Sequence, residues 1–325
     1  MAETAKRSPN LKKWLIRAAG SSLILGILFW ILPTDEVLAG FARLPLATFA
    51  LVLLAFLFGH VMTAAKWWFL LGRTVTFPLA LRAHLAGLAA NLCLPGVAGG
   101  DAVRAALVHS TMQDGARLTA GAVADRLIDM LALACLAFAG FMMLNTDTIG
   151  VEVVIAMLLI LLVLVGGAVY VLPRAITWLW TKRPNLPARG FMLRVAEAFG
   201  LLGRSPGLLF MAFVASFCIQ LFFIFLTIQL ATAIGLDVGV VVWVFAWPLA
   251  KLLAVAPISL GGLGVREATL AALMAPFGAE AAGVVTTGLI WQAVLFSAGA
   301  IGGLIWVFSS GRQSAPLSEN GSSKL

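Results

Sequence analysis

Arg104 and Arg266 end two similar stretches of this chain. The first reads Pro95-Gly96-Val97-Ala98-Gly99-Gly100-Asp101-Ala102-Val103-Arg104. The second reads Pro257-Ile258-Ser259-Leu260-Gly261-Gly262-Leu263-Gly264-Val265-Arg266, with Glu267 next. Both fit P-x-x-x-G-G-x-x-V-R, and every shared position is offset by 162 residues. Each stretch interrupts an apolar segment. Paired glycines permit a tight turn and close approach of a ligand to the backbone. The helix that starts after them offers free N–H groups and the positive end of its dipole, which suits an anion. An arginine in that first turn is opposed by the dipole, whereas its planar fork fits a phosphate. A purely structural account uses the same residues: Asp101 caps its helix and pairs with Arg104 at i,i+3, and Glu267 does the same beside Arg266. The duplication favours function, because charges at membrane depth are costly and usually have a task.

A second group is Asp125-Arg126-Leu127-Ile128-Asp129. Its two carboxylates lie one helical turn apart on one face, where they could partner Arg104 or Arg266, or carry a proton. A structural ion-pair network accounts for them equally well. Lys251 lines the second cavity or snorkels. Lys66, beside Trp67, reads as an interface anchor, and Trp30, Trp178, Trp180, Trp243 and Trp306 read as an aromatic belt. Gly299-Ala300-Ile301-Gly302-Gly303 reads as helix packing.

The elements that must position these groups are membrane helices. Of 325 residues, 62% are hydrophobic and 11% charged, with a mean hydropathy of +1.03. A soluble core cannot absorb that composition, and the apolar runs far exceed the alternating strands of a membrane barrel. The net charge of +8 follows from Lys and Arg collected on cytoplasmic loops; no nucleic-acid module is present. Cys93, Cys135 and Cys218 lack metal-ligand spacing and read as small buried hydrophobes. The sequence calls for no cofactor and no metal.

In chain order, a polar segment 1–13 precedes a first span from Trp14 to Leu32. A second span runs from Leu46 to Ala65, and Arg73, Arg82 and His84 mark a cytoplasmic loop after it. The first broken segment occupies 85–112. Ala120 to Leu144 and Val151 to Leu172 are spans. Residues 173–206 form a basic cytoplasmic linker with a short amphipathic helix around 189–203. Leu208 to Ile234 spans again and turns at Gly235-Leu236-Asp237. The second broken segment covers about 240–276, where Pro248 can kink its first arm, and a last span covers 283–308. The tail, 309–325, is Ser-rich and reads as disordered.

With the N-terminus inside, 17 of the 22 Lys and Arg fall on cytoplasmic segments, the bias expected of inner-membrane topology. The first broken segment has cytoplasmic charges on both sides, so it enters and leaves by one face. The second follows an outside turn and re-enters from the opposite face. The expected fold is therefore all-α and integral to the membrane: about six full transmembrane helices plus two re-entrant hairpins in an inverted-topology repeat, with halves at about 45–144 and 207–308. In such repeats the substrate site lies where broken helices meet near the midplane.

The stretches Asn91-Leu92-Cys93-Leu94-Pro95 through Arg104, Asp125-Arg126 with Asp129, and Pro257-Ile258-Ser259 through Glu267 resemble the lysylphosphatidylglycerol synthase transmembrane, or flippase-like, family. The resemblance covers roughly 15–308. It implies movement of a lipid between leaflets, aminoacylated phosphatidylglycerol in the larger members and hopanoid- or glycolipid-linked roles in stand-alone ones. Asp125 stands where Glu is more usual in the family, a change that keeps the charge. The larger members carry a soluble aminoacyl-transferase domain after the membrane part; this chain ends at Leu325, so tRNA-dependent synthesis is not implied.

The function expected is a non-enzymatic lipid transporter of the bacterial cytoplasmic membrane, with both termini inside. Its headgroup ligands are Asn91, Pro95, Gly99, Gly100, Asp101 and Arg104 on the first hairpin and Asp125, Arg126 and Asp129 on the next span. On the second hairpin they are Lys251, Pro257, Ser259, Gly261, Gly262, Gly264, Arg266 and Glu267. Partners are membrane lipids with a phosphate headgroup, with a lipid-modifying enzyme and a homo-oligomer as further expectations. The alternatives are an intramembrane lipid-linked transferase, whose carboxylates would serve as acid and base, and a non-transporting partner of such an enzyme.

Overall fold

The computed structural model describes residues 34–93, 98–144, 171–183, 185–254 and 263–310, with isolated positions in 22–30 and at 152 and 156. The polar segment 1–13, the expected span Trp14 to Leu32, most of Val151 to Leu172 and the tail beyond Ser310 lie outside the described residues.

The described chain is helical. Helices α1 (Thr34–Arg43), α2 (Leu46–Leu70), α3 (Phe77–Cys93), α4 (Ala98–Met112) and α5 (Gly115–Leu144) are followed by α6 (Leu172–Lys182) and α7 (Arg189–Gly203). Then come α8 (Pro206–Ala233), α9 (Val240–Leu253), α10 (Val265–Met274), a 3-10 turn at Ala275–Phe277, and α11 (Ala281–Ser310). Among the described residues, α2, α5, α8 and α11 are long and apolar enough to cross a membrane. The protein is thus a multi-pass integral membrane protein. Local chemistry sets the ends. Gly72 and Arg73 take left-handed φ of 67° and 55° after α2, Pro206 opens α8, and Gly235 at φ 89° turns the chain after it. The amphipathic helix expected around 189–203 is α7. Helix α3 begins at Phe77, eight residues earlier than the expected arm, because Pro78 suits a first turn and Leu-Ala-Leu-Arg-Ala continues it.

Two groups of four helices share one order, long-short-short-long: α2 to α5 and α8 to α11. The two leading helices run antiparallel. Gly59 of α2 faces Phe223 of α8, while Lys66, seven residues on, bonds Ser216, seven residues back. The closing helix of each group packs on the first short helix of the other, α5 on α9 and α11 on α3. Glycines permit both contacts. A Cβ on Gly140 would strike the backbone of Val244 and Phe245, and one on Gly302 would lie 2.6 Å from the Leu85 carbonyl oxygen. Gly140 and Gly302 are 162 residues apart. So are Gly121, against Leu71, and Gly283, against Leu236. The offset of the two Gly-Gly motifs therefore extends to the glycines that join the halves, Gly140 and Gly302, and to two that pack within them, Gly121 and Gly283. Gly299 and Gly303 press on Leu92 and Ala89, as packing residues should.

Apolar side chains need no burial where lipid is the solvent. Phe210, Val214, Cys218, Leu221 and Phe225 are exposed along α8, and Cys135 is half-buried. The reading of these thiols as buried is corrected on that ground.

At the edge, α1 docks on α11, with Gly40 against Thr286. The hydrogen bond between Glu36 and Glu280 raises the exposed Glu36 carboxyl above its ordinary range; slight desolvation and the charge of Glu280 add to this, and Arg43 opposes it. Its contribution is complete below the ordinary Glu range and lost as pH rises through the raised value. Thermal unfolding against pH should show this loss in the wild type and not in Glu36→Gln.

Candidate functional site

The duplicated arginines are both buried, and both already have partners. Arg104, 3% exposed, lies in the first turns of α4. Its Nη2 is 3.2 Å from Asp101 one turn back and 3.2 Å from Asp125 on α5. Its guanidinium stacks 4.2 Å above the Trp67 ring. Arg266 is the second residue of α10, one turn nearer its helix start than Arg104. It donates to Glu267 Oε1 at 3.0 and 2.5 Å, to the Gly288 carbonyl at 2.9 Å and to Gln292 at 3.4 Å, and it lies 5.5 Å from the Trp247 ring. Glu267, fully buried, accepts through its other oxygen from the Gly264 N–H at 2.7 Å, where Gly264 caps the helix at φ 85°. Each arginine thus stacks on a buried tryptophan and joins its short helix to the long helix that closes its own half.

The ion pairing foreseen for Asp101 and Glu267 is present, and Asp125 is a partner of Arg104; the cap foreseen for Asp101 is corrected, because α4 starts at Ala98, ahead of the glycine pair, and Asp101 lies inside the helix. The first half goes further. Arg126 Nε donates to Asp101 Oδ2 at 2.7 Å. Lys66 lies 3.0 Å from Asp125 and bonds Asp129 directly, and Ser216 of α8 bridges Lys66 and Asp129. Three cations, Lys66, Arg104 and Arg126, meet three carboxylates, Asp101, Asp125 and Asp129. The group is electrically balanced, which is how buried charges become tolerable.

Lys66 is the first correction to the sequence reading. It is 2% exposed, an interior ion-pair partner and no interface anchor. A signal was present: Trp67-Trp68-Phe69-Leu70-Leu71 continues the apolar run beyond it. Trp243 is fully buried beside Trp247 and leaves the aromatic belt, whereas Trp30, Trp178 and Trp306 face outward. His84 is buried in α3, 3.0 Å from His60 of α2 and 3.5 Å from Arg104; it marks no loop. Ser216, His60, Gln220 and Gln292 are further members of this polar layer that no motif announced.

Of the other expected ligands, Gly99 and Gly100 fall in α4. Asn91 accepts from the Gly100 N–H at 2.9 Å, and a side chain on Gly87 would meet the Gly100 carbonyl at 2.8 Å. These contacts hold α3 and α4 as a helical hairpin. Lys251, in the last turn of α9, donates to Gln220 Oε1 at 2.9 Å and sits 5.7 Å from the Phe223 ring. Pro95, Pro257, Ser259, Gly261 and Gly262 lie outside the described residues.

What the arrangement can do is hold paired charges in the protein's interior, within two groups of helices whose leading members run antiparallel. Among the described residues no cluster suits a metal ion. No curated protein matches the chain. Residues 14–303 match the family described as the lysylphosphatidylglycerol synthase TM region. That is nearly all of the sequence, and the chain belongs to that family.

Proposed function

We propose that the protein is a transporter that moves a lipid with an anionic or aminoacylated phosphate headgroup between the leaflets of the cytoplasmic membrane, without changing it covalently. Family membership supplies the lipid-related role. The observation that carries the transport reading is the pair of buried arginines at equivalent places in antiparallel halves. The pairs α3/α4 and α9/α10 act as re-entrant arms from opposite faces, the inverted arrangement common in secondary transporters. The charge bias of the loops puts both termini in the cytoplasm.

Each arginine bridges a broken arm to a full-length helix. A headgroup phosphate competes for those guanidinium forks, and an aminoacyl ammonium competes for Asp101, Asp125, Asp129 and Glu267. Exchange of partners releases an arm when the headgroup arrives and resets it when the headgroup leaves.

Flux of fluorescent phosphatidylglycerol in proteoliposomes tests this. Arg104→Gln and Arg266→Gln should each slow it roughly tenfold or more, the scale of one charge-assisted hydrogen bond. Unchanged flux in both folded variants would sink the proposal.

A further inference from the structure

Lys66, Arg104, Arg126 and Arg266 each have a carboxylate within 3.2 Å. Lys251 has none at ion-pair distance among the described residues, and its ammonium meets only the neutral amide of Gln220 and the face of Phe223. The carboxylate whose field reaches it most strongly, Asp129, is already bonded to Lys66 and Ser216. One turn back on α9, on the same helix face, Trp247 is 1% exposed and its indole N–H has no hydrogen-bond partner among the described residues. A half-buried cation without a carboxylate partner and a buried donor without an acceptor are each costly alone. Together they form a pair of donors suited to an anion.

We infer that Lys251, Trp247 and Gln220 form the headgroup's anion seat, and that its ligand is a singly charged phosphate or phosphodiester. This rests on the transport reading and assigns the first contact to Lys251, because Arg104 and Arg266 are occupied by internal partners. The ammonium has three donors, and the Gln220 oxygen takes one, which leaves two for phosphate oxygens. The seat belongs to the second half alone: Leu85 and Ala89 stand 162 residues before Trp247 and Lys251.

The full-length protein in neutral maltoside micelles provides the test, read as the thermal unfolding midpoint with phosphatidylglycerol, phosphatidylcholine or inorganic phosphate added. Phosphatidylglycerol should raise the wild-type midpoint, and phosphatidylcholine should not. Lys251→Met, without lipid, should unfold at or above the wild-type temperature, since it removes a half-buried charge that no carboxylate among the described residues pairs with. It should bind phosphatidylglycerol roughly ten- to a hundredfold more weakly, the worth of one charged hydrogen bond. Lys251→Arg should keep the lipid-induced shift, and Trp247→Phe should reduce it. A shift from inorganic phosphate alone would make the phosphate group sufficient; a shift from phosphatidylglycerol only would make the lipid the ligand. Destabilisation or misfolding of Lys251→Met without lipid, or an intact lipid shift in it, overturns the seat. If Arg104→Gln and Arg266→Gln lose the shift while Lys251→Met keeps it, the seat fails and the transporter stands. A wild type that neither responds to phosphatidylglycerol nor moves it overturns the transport reading itself.

Discussion

Asp125→Asn should lower unfolding stability by about 3–5 kcal/mol, the cost of removing one partner from a buried ion pair. Asp125 is 2% exposed and lies between Lys66 at 3.0 Å and Arg104 at 3.2 Å. The amide keeps the shape and removes the charge, so two buried cations lose half of their compensation. Restoring balance should restore stability: adding Lys66→Met to Asp125→Asn should recover a large part of the loss, because one cation and one carboxylate removed together leave two of each and no net charge. The measurement is thermal or denaturant unfolding of the single and double variants in detergent. A double variant less stable than Asp125→Asn alone would show that Lys66 contributes packing that charge balance does not explain.

Gly140→Ala and Gly302→Ala form the second test, directed at the joints between the halves. In both, the new methyl group meets backbone, that of Phe245 or of Leu85. Backbone in a packed helix cannot rotate aside, so the helices must part. Overpacking of this kind costs about 1–3 kcal/mol or more. Gly299→Ala is the internal control. Its methyl would approach Leu92 side-chain atoms at 2.8–3.0 Å, and a leucine can change rotamer, so its cost should be distinctly smaller. Equal losses at 299 and 302 in unfolding midpoints would mean that the interface is looser than these contacts imply.

The membrane class, the two halves and the two duplicated arginines were legible from the amino acids, because hydropathy and a 162-residue repeat are linear properties. The linker helix α7 was equally legible from its amphipathic pattern. Partner choice was not. Whether Arg104 waits for a phosphate or bonds Asp125 depends on where α5 lies relative to α4, which no spacing within one helix states. Lys66 misled for the same reason. A lysine beside tryptophans is normally at the interface, and only the packing of α5 and α8 around it turns it into an interior charge. The Gly140/Gly302 and Gly121/Gly283 pairs were findable, since their offset equals that of the motifs. They went unnoticed because a glycine in a membrane helix has many ordinary uses.

The antiparallel run of α2 and α8 has a consequence for direction. In the proposed transporter, halves related in this way would present the same scaffold, upside down, to either leaflet, so the scaffold by itself would favour neither inward nor outward movement. Preference must arise where the halves stop matching. They differ most in charge: Asp101, Asp125 and Asp129 correspond to Leu263, Thr287 and Trp291, and Lys251 corresponds to Ala89. One half carries the balanced ion network and the other carries the unmatched ammonium. In the proposed transporter a headgroup approaching from opposite sides of the membrane would meet these two environments in opposite order, and that order would set its polarity.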